Sequence, residues 1–156
     1  MEPITLKMLR WHELEGPWQA LVREGFHEAF LGIGEAYGGV EEVEGKIAAM
    51  SAYPDDLTVC AAWSADQLVG LLVGRVAKGR LVIYDLFVST RFRRQGIARQ
   101  LIQLAIREHQ VSEVAAEVNQ KNTASQALFE ALHFERTLSS DWFVLRRPRA
   151  DLRGFS

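Results

Sequence analysis

One stretch constrains this chain more than any other. An apolar run from Leu81 to Val88 is followed by Arg93-Arg94-Gln95-Gly96-Ile97-Ala98, which opens an amphipathic helical pattern from Gly96 to Glu108. A strand, a glycine-bearing turn and a helix in that order aim the free backbone N–H groups of the helix start at one spot. The charge around that spot is the reverse of ordinary. A helix N-terminus carries roughly half a positive charge and favours Asp or Glu. Here Arg91, Arg93, Arg94 and Arg99 surround it instead. Cations gathered there either cost a little electrostatic energy or neutralise an anion. Arginine grips phosphate oxygens bidentately, and Gly96 permits a positive φ and close ligand approach. A phosphorylated ligand is one reading; a glycine turn with a solvated basic face is the other.

The rest of the composition narrows the class. At 156 residues the chain is the size of one domain with a substantial core, expected over residues 1–148 with a frayed tail at 149–156. The formal net charge of −2 argues against bulk attraction to nucleic acid. One cysteine, Cys60, permits no internal disulfide and fits a reducing compartment. The segment Met1 to Lys7 lacks the apolar core of a signal peptide. No apolar run approaches the ~20 residues of a membrane helix. The expectation is a cytoplasmic protein with neither membrane nor nucleic acid as partner.

Periodicity orders the elements. Ile4 to Arg10 reads as a strand, and Leu14 to Phe30 as a helix with Leu14, Trp18, Leu21, Val22 and Phe26 on one stripe. A glycine-rich loop (Gly32, Gly34, Gly38, Gly39) leads to an acidic helix from Val40 to Met50. Strands follow at Thr58 to Trp63, Leu68 to Ala77 and Arg80 to Val88, the last apolar enough for a central strand buried on both faces. The helix from Gly96 turns Ile97, Leu101, Ile102, Ala105 and Ile106 inward. Val114 to Val118 is a short strand, Asn122 to Leu132 a helix, and Asp141 to Arg146 a last strand. The order is mixed α/β without the even alternation of a dinucleotide fold.

The segments Tyr84-Asp85-Leu86-Phe87-Val88 and Arg93 to Ala98 together resemble the acetyl-coenzyme A motif of the GCN5-related N-acetyltransferases. Ala116-Glu117-Val118-Asn119 and the stretch from Asn122 to Phe134 resemble that family's second motif. The resemblance implies one α/β (α+β) domain. Its mixed, mostly antiparallel sheet is flanked by helices and splayed between the strands at 80–88 and 113–118. It also implies direct acetyl transfer from acetyl-coenzyme A to an amine, with coenzyme A as product. By that analogy the diphosphate lies against the amides of Arg93, Arg94, Gln95, Gly96, Ile97 and Ala98, with Arg99 nearby. The strand at Phe87 and Val88 pairs with the pantetheine arm, and one of its amides polarises the acyl oxygen. Asn122, Ser125 and Phe129 contact the arm from the second motif.

Three positions depart from the family pattern. Phe129 stands where many members carry a tyrosine that protonates the leaving thiolate, which a phenyl ring cannot do. A thiol pKa near 8.5 still makes the thiolate a tolerable leaving group. His133 replaces a glycine before Phe134, so the helix is expected to end differently. Tyr84 occupies a strand position where some members have a glutamate base.

An ammonium is not a nucleophile, so a base is required. Glu117 is the first candidate, as the carboxylate inside an apolar strand and a match to the glutamate of ribosomal-protein N-acetyltransferases. Burial is expected to raise its pKa; the other reading is a strand-edge glutamate paired with an arginine. Asp85 is second. Strict alternation would put it and Tyr84, the third candidate, on opposite faces.

The acceptor side is expected from residues 26–50, with Phe26, His27, Phe30, Glu35 and Tyr37 as lining. The glycine loop fails dinucleotide spacing, since Tyr37 stands where a third glycine is needed, and reads as a flap. Glu35, Glu41, Glu42 and Glu44 hint at a cationic acceptor such as a polyamine or aminoglycoside; a protein N-terminus is equally open. Cys60 reads as core, with no basic neighbour to activate it, and His12, His27, His109 and His133 show no metal-ligand spacing. A monomer or homodimer is expected. The alternative function is a non-catalytic acyl-coenzyme A sensor, motivated by Phe129 and Tyr84.

Overall fold

The structure, a computed structural model, describes residues 3–11, 57–119, 123–139 and 142–147, with single positions between 20 and 52. Elements are numbered over these residues. They form one seven-stranded sheet, β1 (Ile4–Leu9), β2 (Thr58–Ser64), β3 (Gln67–Ala77), β4 (Arg80–Val88), β5 (Glu113–Asn119), β6 (Glu135–Ser139) and β7 (Trp142–Arg147). The order is β1-β2-β3-β4-β5-β7-β6. Helix α1 (Ile97–His109) connects β4 to β5, and α2 (Thr123–Ala131) connects β5 to β6. The β4–β5 pair is parallel and the others are antiparallel. A parallel pair needs a crossover, and α1 supplies it.

Strand β6 is absent from the sequence reading, which has six strands. Its residues, Glu-Arg-Thr-Leu-Ser, carry almost no apolar signal. It is an edge strand, and Glu135, Arg136 and Thr137 are exposed there. Charge on an edge deters further pairing, and the same charge hides the strand from periodicity.

The core lies between α1 and the sheet. Ile97, Leu101, Ile102, Ala105 and Ile106 pack in one buried cluster with Cys60, Leu72, Leu81, Ile83, Leu86, Val114 and Ala116. These α1 residues are the inward stripe expected from period 3.6. The β2, β3 and β4 strands are joined by tight turns. At Lys78-Gly79 both residues have positive φ, 54° and 74°, the geometry of a two-residue hairpin turn that matches strand twist.

One irregularity in β4 matters for the site. Val73 pairs with Asp85 while Gly74 pairs with Ile83, so Tyr84 is an extra residue with no cross-strand partner. This is a β-bulge. A Cβ on Gly74 would sit 2.5 Å from the Val82 carbonyl oxygen, so the bulged strand approaches closer than any other residue allows.

The helical positions Ala20 and Glu24 fall within the first expected N-terminal helix and Glu41, Glu44, Gly45, Ala48 and Ala49 within the second, while Ala52 is helical beyond its expected end at Met50. The tail at 149–156 lies outside the described residues. No helix among the described residues is long and apolar enough to cross a membrane.

Candidate active site

The parallel ladder between β4 and β5 runs only from Arg80↔Glu113 to Ile83↔Ala116. β4 continues to Val88 and β5 to Asn119 without further pairing to each other. The strands therefore diverge after Ile83 and Ala116, which opens the sheet at their C-terminal ends. Backbone N–H and C=O groups along that stretch of β4 can pair with an extended ligand.

The three candidate acid–base residues meet at the divergence. Leu81↔Val114 and Ile83↔Ala116 face α1 within the core cluster. Val82↔Ala115, between them, faces the other way, and so does the next position on β5, Glu117. Asp85 is opposite Val73, one step from the Leu72↔Leu86 pair that faces α1, so it too lies on the face away from α1. Tyr84 shares a groove with Arg75 and Val82 on that face. The strict alternation expected for Tyr84 and Asp85 does not hold, because the bulge inserts a residue between Ile83 and Leu86. Both side chains end up on the side of Glu117.

Their environments differ. Asp85 is 8% exposed. Tyr84 is half-buried and Glu117 exposed. Burial, the expected reason for Glu117 to be a raised-pKa base, is not its situation; it stands open to solvent where the strands part. The expectation that β4 is covered on both faces also fails at Val82 and Tyr84, which are half-buried along the groove.

The cationic loop closes the same end of the sheet. Ser89 N–H donates to the Val69 carbonyl at 2.8 Å, and a 3-10 turn over Thr90–Phe92 follows. Arg93 Nε donates to the Val88 carbonyl at 3.2 Å, folding the guanidinium back over the strand end. Arg94 and Gly96 both have left-handed backbones, with φ 66° and 77°. For arginine that conformation is strained, and such strain concentrates at ligand-binding turns. Gly96 caps α1 without a side-chain hydrogen bond, and the first turn holds no acid. Its carbonyl accepts from Gln100 N–H at 3.0 Å, so the amides of Ile97 and Ala98 precede the helical ladder. Arg91, Arg93, Arg94, Gln95 and Gly96 are exposed, Arg99 is half-buried, and Ile97 and Ala98 are buried. Among the described residues, nothing beyond its chain neighbours and the helix's own backbone comes within 4 Å of a Cβ built on Gly96, which leaves space above the helix start. This loop fits a diphosphate.

Phe129 is 3% exposed, and its ring lies 5.1 Å from that of Phe134 at 62°. The end of α2 fixes this pair. His133 N–H donates to the Glu130 carbonyl and Phe134 N–H to the Phe129 carbonyl, each at 3.0 Å, and His133 has φ 67°. That is a Schellman ending, with its usual apolar contact across the turn. The different helix ending expected from His133 does not occur; histidine adopts the left-handed position glycine usually fills.

Ser125 is half-buried on α2. Asn122, Phe26, His27, Phe30, Glu35 and Tyr37 lie outside the described residues, as does the side chain of Phe87. Cys60 is fully buried, and burial, reinforced by Glu108, pushes its thiol up to about 12. A thiol held protonated is no acyl-carrying nucleophile. Among the described residues no group of three His, Cys, Asp or Glu side chains could hold a metal.

The bulge is the feature sequence reasoning missed. Its one trace is the glycine at 74 opposite an unbroken apolar strand, where glycine marks a bulge or close backbone approach.

Comparison with known proteins agrees with this geometry. A search of curated proteins gives no match. Among solved structures, an acetyltransferase from Thermus thermophilus superimposes with a TM-score of 0.73 at 18% identity, over 95% of this chain and 99% of that one. The PaiA N-acetyltransferase from Thermoplasma acidophilum, solved in complex with coenzyme A, gives 0.68 at 13% identity, over 92% and 99%. The ribosomal-protein-S18-alanine N-acetyltransferase of Escherichia coli gives 0.64 at 18% identity, over 92% and 94%. At these identities the structural likeness speaks for the fold. The sequence itself matches the model of the acetyltransferase (GNAT) family over residues 12–134. The chain belongs to the GNAT family of N-acetyltransferases, enzymes that use acetyl-coenzyme A.

Proposed function

We propose that this protein transfers an acetyl group from acetyl-coenzyme A directly to an amine of a small molecule or a peptide N-terminus. The observation that carries this reading is the coincidence, at one end of the sheet, of the β4–β5 divergence, the cationic loop and the three acid–base candidates. Acetyl-coenzyme A supplies the activated acetyl thioester.

The amides of Ile97 and Ala98, with Arg93 and Arg94, hold the diphosphate. The edge of β4 beyond Ile83, where β5 has parted from it, aligns the pantetheine arm, with Ser125 at its flank. A β4 amide donates to the acyl oxygen as negative charge grows there. On the opposite face Glu117 takes the proton from the incoming ammonium, directly or through water, and an exposed carboxylate returns it readily to solvent. Tyr84 and Asp85 line the acceptor path, where Asp85 attracts the ammonium and Tyr84 orients it. Coenzyme A leaves as thiolate, because the Phe129 ring has no proton to give. The buried thiol of Cys60 supports direct transfer over an acyl-enzyme route, and a single buried cysteine suits the cytoplasm.

Release of free thiol from acetyl-coenzyme A, measured across a panel of amines and short peptides, tests this reading. Amine-dependent release is expected. Coenzyme A binding with no release for any amine class would instead leave a sensor.

A further inference from the structure

Strand β3 carries a glycine where the cationic loop begins. Gly70 is buried and pairs with Ala62 of β2 and with Val88, the last residue of β4. Beside it, the Val69 carbonyl accepts from Ser89 N–H, the first amide beyond β4. Glycine weakens a strand interior and calls for a local reason. Backbone conformation is not that reason, since the positive-φ glycines among the described residues are Gly79 and Gly96. The reason is space: a Cβ on Gly70 would lie 3.0 Å from Ile97 Cγ2, 3.3 Å from Leu101 Cδ1 and 3.4 Å from Ala62 Cβ.

These neighbours have little room to give way. Ile97, Leu101 and Ala62 are each at most 2% exposed and belong to one core cluster. Ile97 is β-branched, so its Cγ2 sits directly on Cβ and its χ1 is nearly fixed in a helix. A side chain at position 70 therefore pushes on the helix itself. Ile97 is also the first residue of α1, and its amide is one of those placed against the diphosphate. One residue thus carries both the donor and the branch that rests over Gly70. Across the ladder the same glycine meets Val88, where the edge offered to the pantetheine arm ends.

Resting on the cofactor placement proposed above, we propose that Gly70 is a positioning residue for coenzyme A: it lets α1 start close over the end of β4, and so fixes the span between the diphosphate amides and the strand edge. The diphosphate and the arm belong to one molecule. An arm laid extended along β4 has no slack to follow a helix start that moves. Each half-site survives such a movement, because each is built on its own segment of chain. What is lost is the advantage of linking the two, which depends on both ends engaging at once.

The test compares the parent chain, Gly70→Ala and Gly70→Ala/Ile97→Leu by their dissociation constants for three probes. Coenzyme A is measured by calorimetry. ADP, which has the diphosphate without the arm, and pantetheine, which has the arm without the diphosphate, are measured by NMR titration. In Gly70→Ala the Kd of coenzyme A should rise roughly three- to tenfold, the scale of a charge-assisted contact weakened but kept. Those of ADP and pantetheine should stay within about twofold of the parent, since neither bridges the two half-sites. Leucine at 97 keeps the volume and removes the branch, so the double variant should regain most of the coenzyme A affinity. A merely structural role would weaken all three probes together. Unchanged coenzyme A affinity in Gly70→Ala, a loss that either fragment shares, or no recovery in the double variant overturns the proposal. Should Gly70→Ala not fold, Ile97→Leu takes its place. The double variant, whose added methyl fills the gap left beside 97, should then bind coenzyme A more tightly than Ile97→Leu, and equal affinities overturn the proposal. A parent chain that binds coenzyme A but transfers to no amine counts against the transfer reading alone; one that binds no coenzyme A refutes both.

Discussion

Tyr84 and Glu117 are the first residues beyond the Ile83↔Ala116 rung, where β4 and β5 cease to pair, and both lie on the face away from α1. A phenol and a carboxylate are thereby held at one level on two diverging strands. Neither strand could place them so alone: β5 keeps its alternation, and β4 breaks its own through the bulge at Tyr84.

Glu117→Gln removes the proposed base and leaves the exposed site the same shape. The substitution should lower kcat by about a hundredfold at neutral pH, the lower end for general-base catalysis. Stabilisation by coenzyme A in a thermal melt should be unchanged. The deficit should shrink as pH rises past about 8, where an N-terminal amine is already unprotonated. Steady-state kinetics from pH 6 to 9.5 check both points.

Gly74→Ala places a methyl 2.5 Å from the Val82 carbonyl oxygen, a contact that backbone must move to relieve. The expected cost is roughly 1–3 kcal/mol, the range for overpacked sites. The bulge shifts with it, so kcat should fall although residue 74 lies outside the acid–base group. Urea denaturation gives the first effect and initial rates the second. Unchanged stability and rate together would mean that the bulge does not position Tyr84.

His133→Gly should stabilise the protein. Its φ of 67° strains any residue with a Cβ, by roughly 1–2 kcal/mol. Glycine also gives the unfolded chain more freedom, which returns part of that gain. A net increase of about 0.5–1 kcal/mol is expected in chemical denaturation. Phe134 should remain against Phe129, so activity should not change.

His109 governs part of the acid sensitivity. Its Nε2 lies 3.1 Å from Thr58 Oγ1, and its pKa is lowered chiefly by burial, with Glu108 opposing and Arg10 adding to the shift. A histidine with a folded pKa below its unfolded value near 6.5 contributes stability that is present above that value. The contribution is lost as pH falls through the folded pKa, because the unfolded chain binds the proton first. Urea midpoints measured from pH 8 down to 5 should therefore fall less steeply for His109→Gln than for the parent chain.

The sheet and its crossover were legible because apolar periodicity is strong in β2, β3, β4 and α1, and because the arginines before Ile97 mark a helix start of unusual charge. β6 was not, since Glu135, Arg136 and Thr137 face solvent on an edge. The candidate residues could be named from the sequence, but their geometry could not. Periodicity assumes an unbroken strand, so it separated Tyr84 from Asp85, and it buried Glu117 because its neighbours Ala116 and Val118 are buried. What decides these points is that β4 bulges and that β5 parts from β4 beyond Ala116, both properties of pairing between distant segments.

The most direct measurement is a crystal structure of the protein with coenzyme A. The two diphosphate phosphorus atoms are expected against the amides of Gly96, Ile97 and Ala98, with the pantetheine arm lying along β4 toward Tyr84. Phosphorus density at any other place on the molecule, or a chain that takes up no coenzyme A, contradicts the assignment of the cationic loop and of everything placed from it.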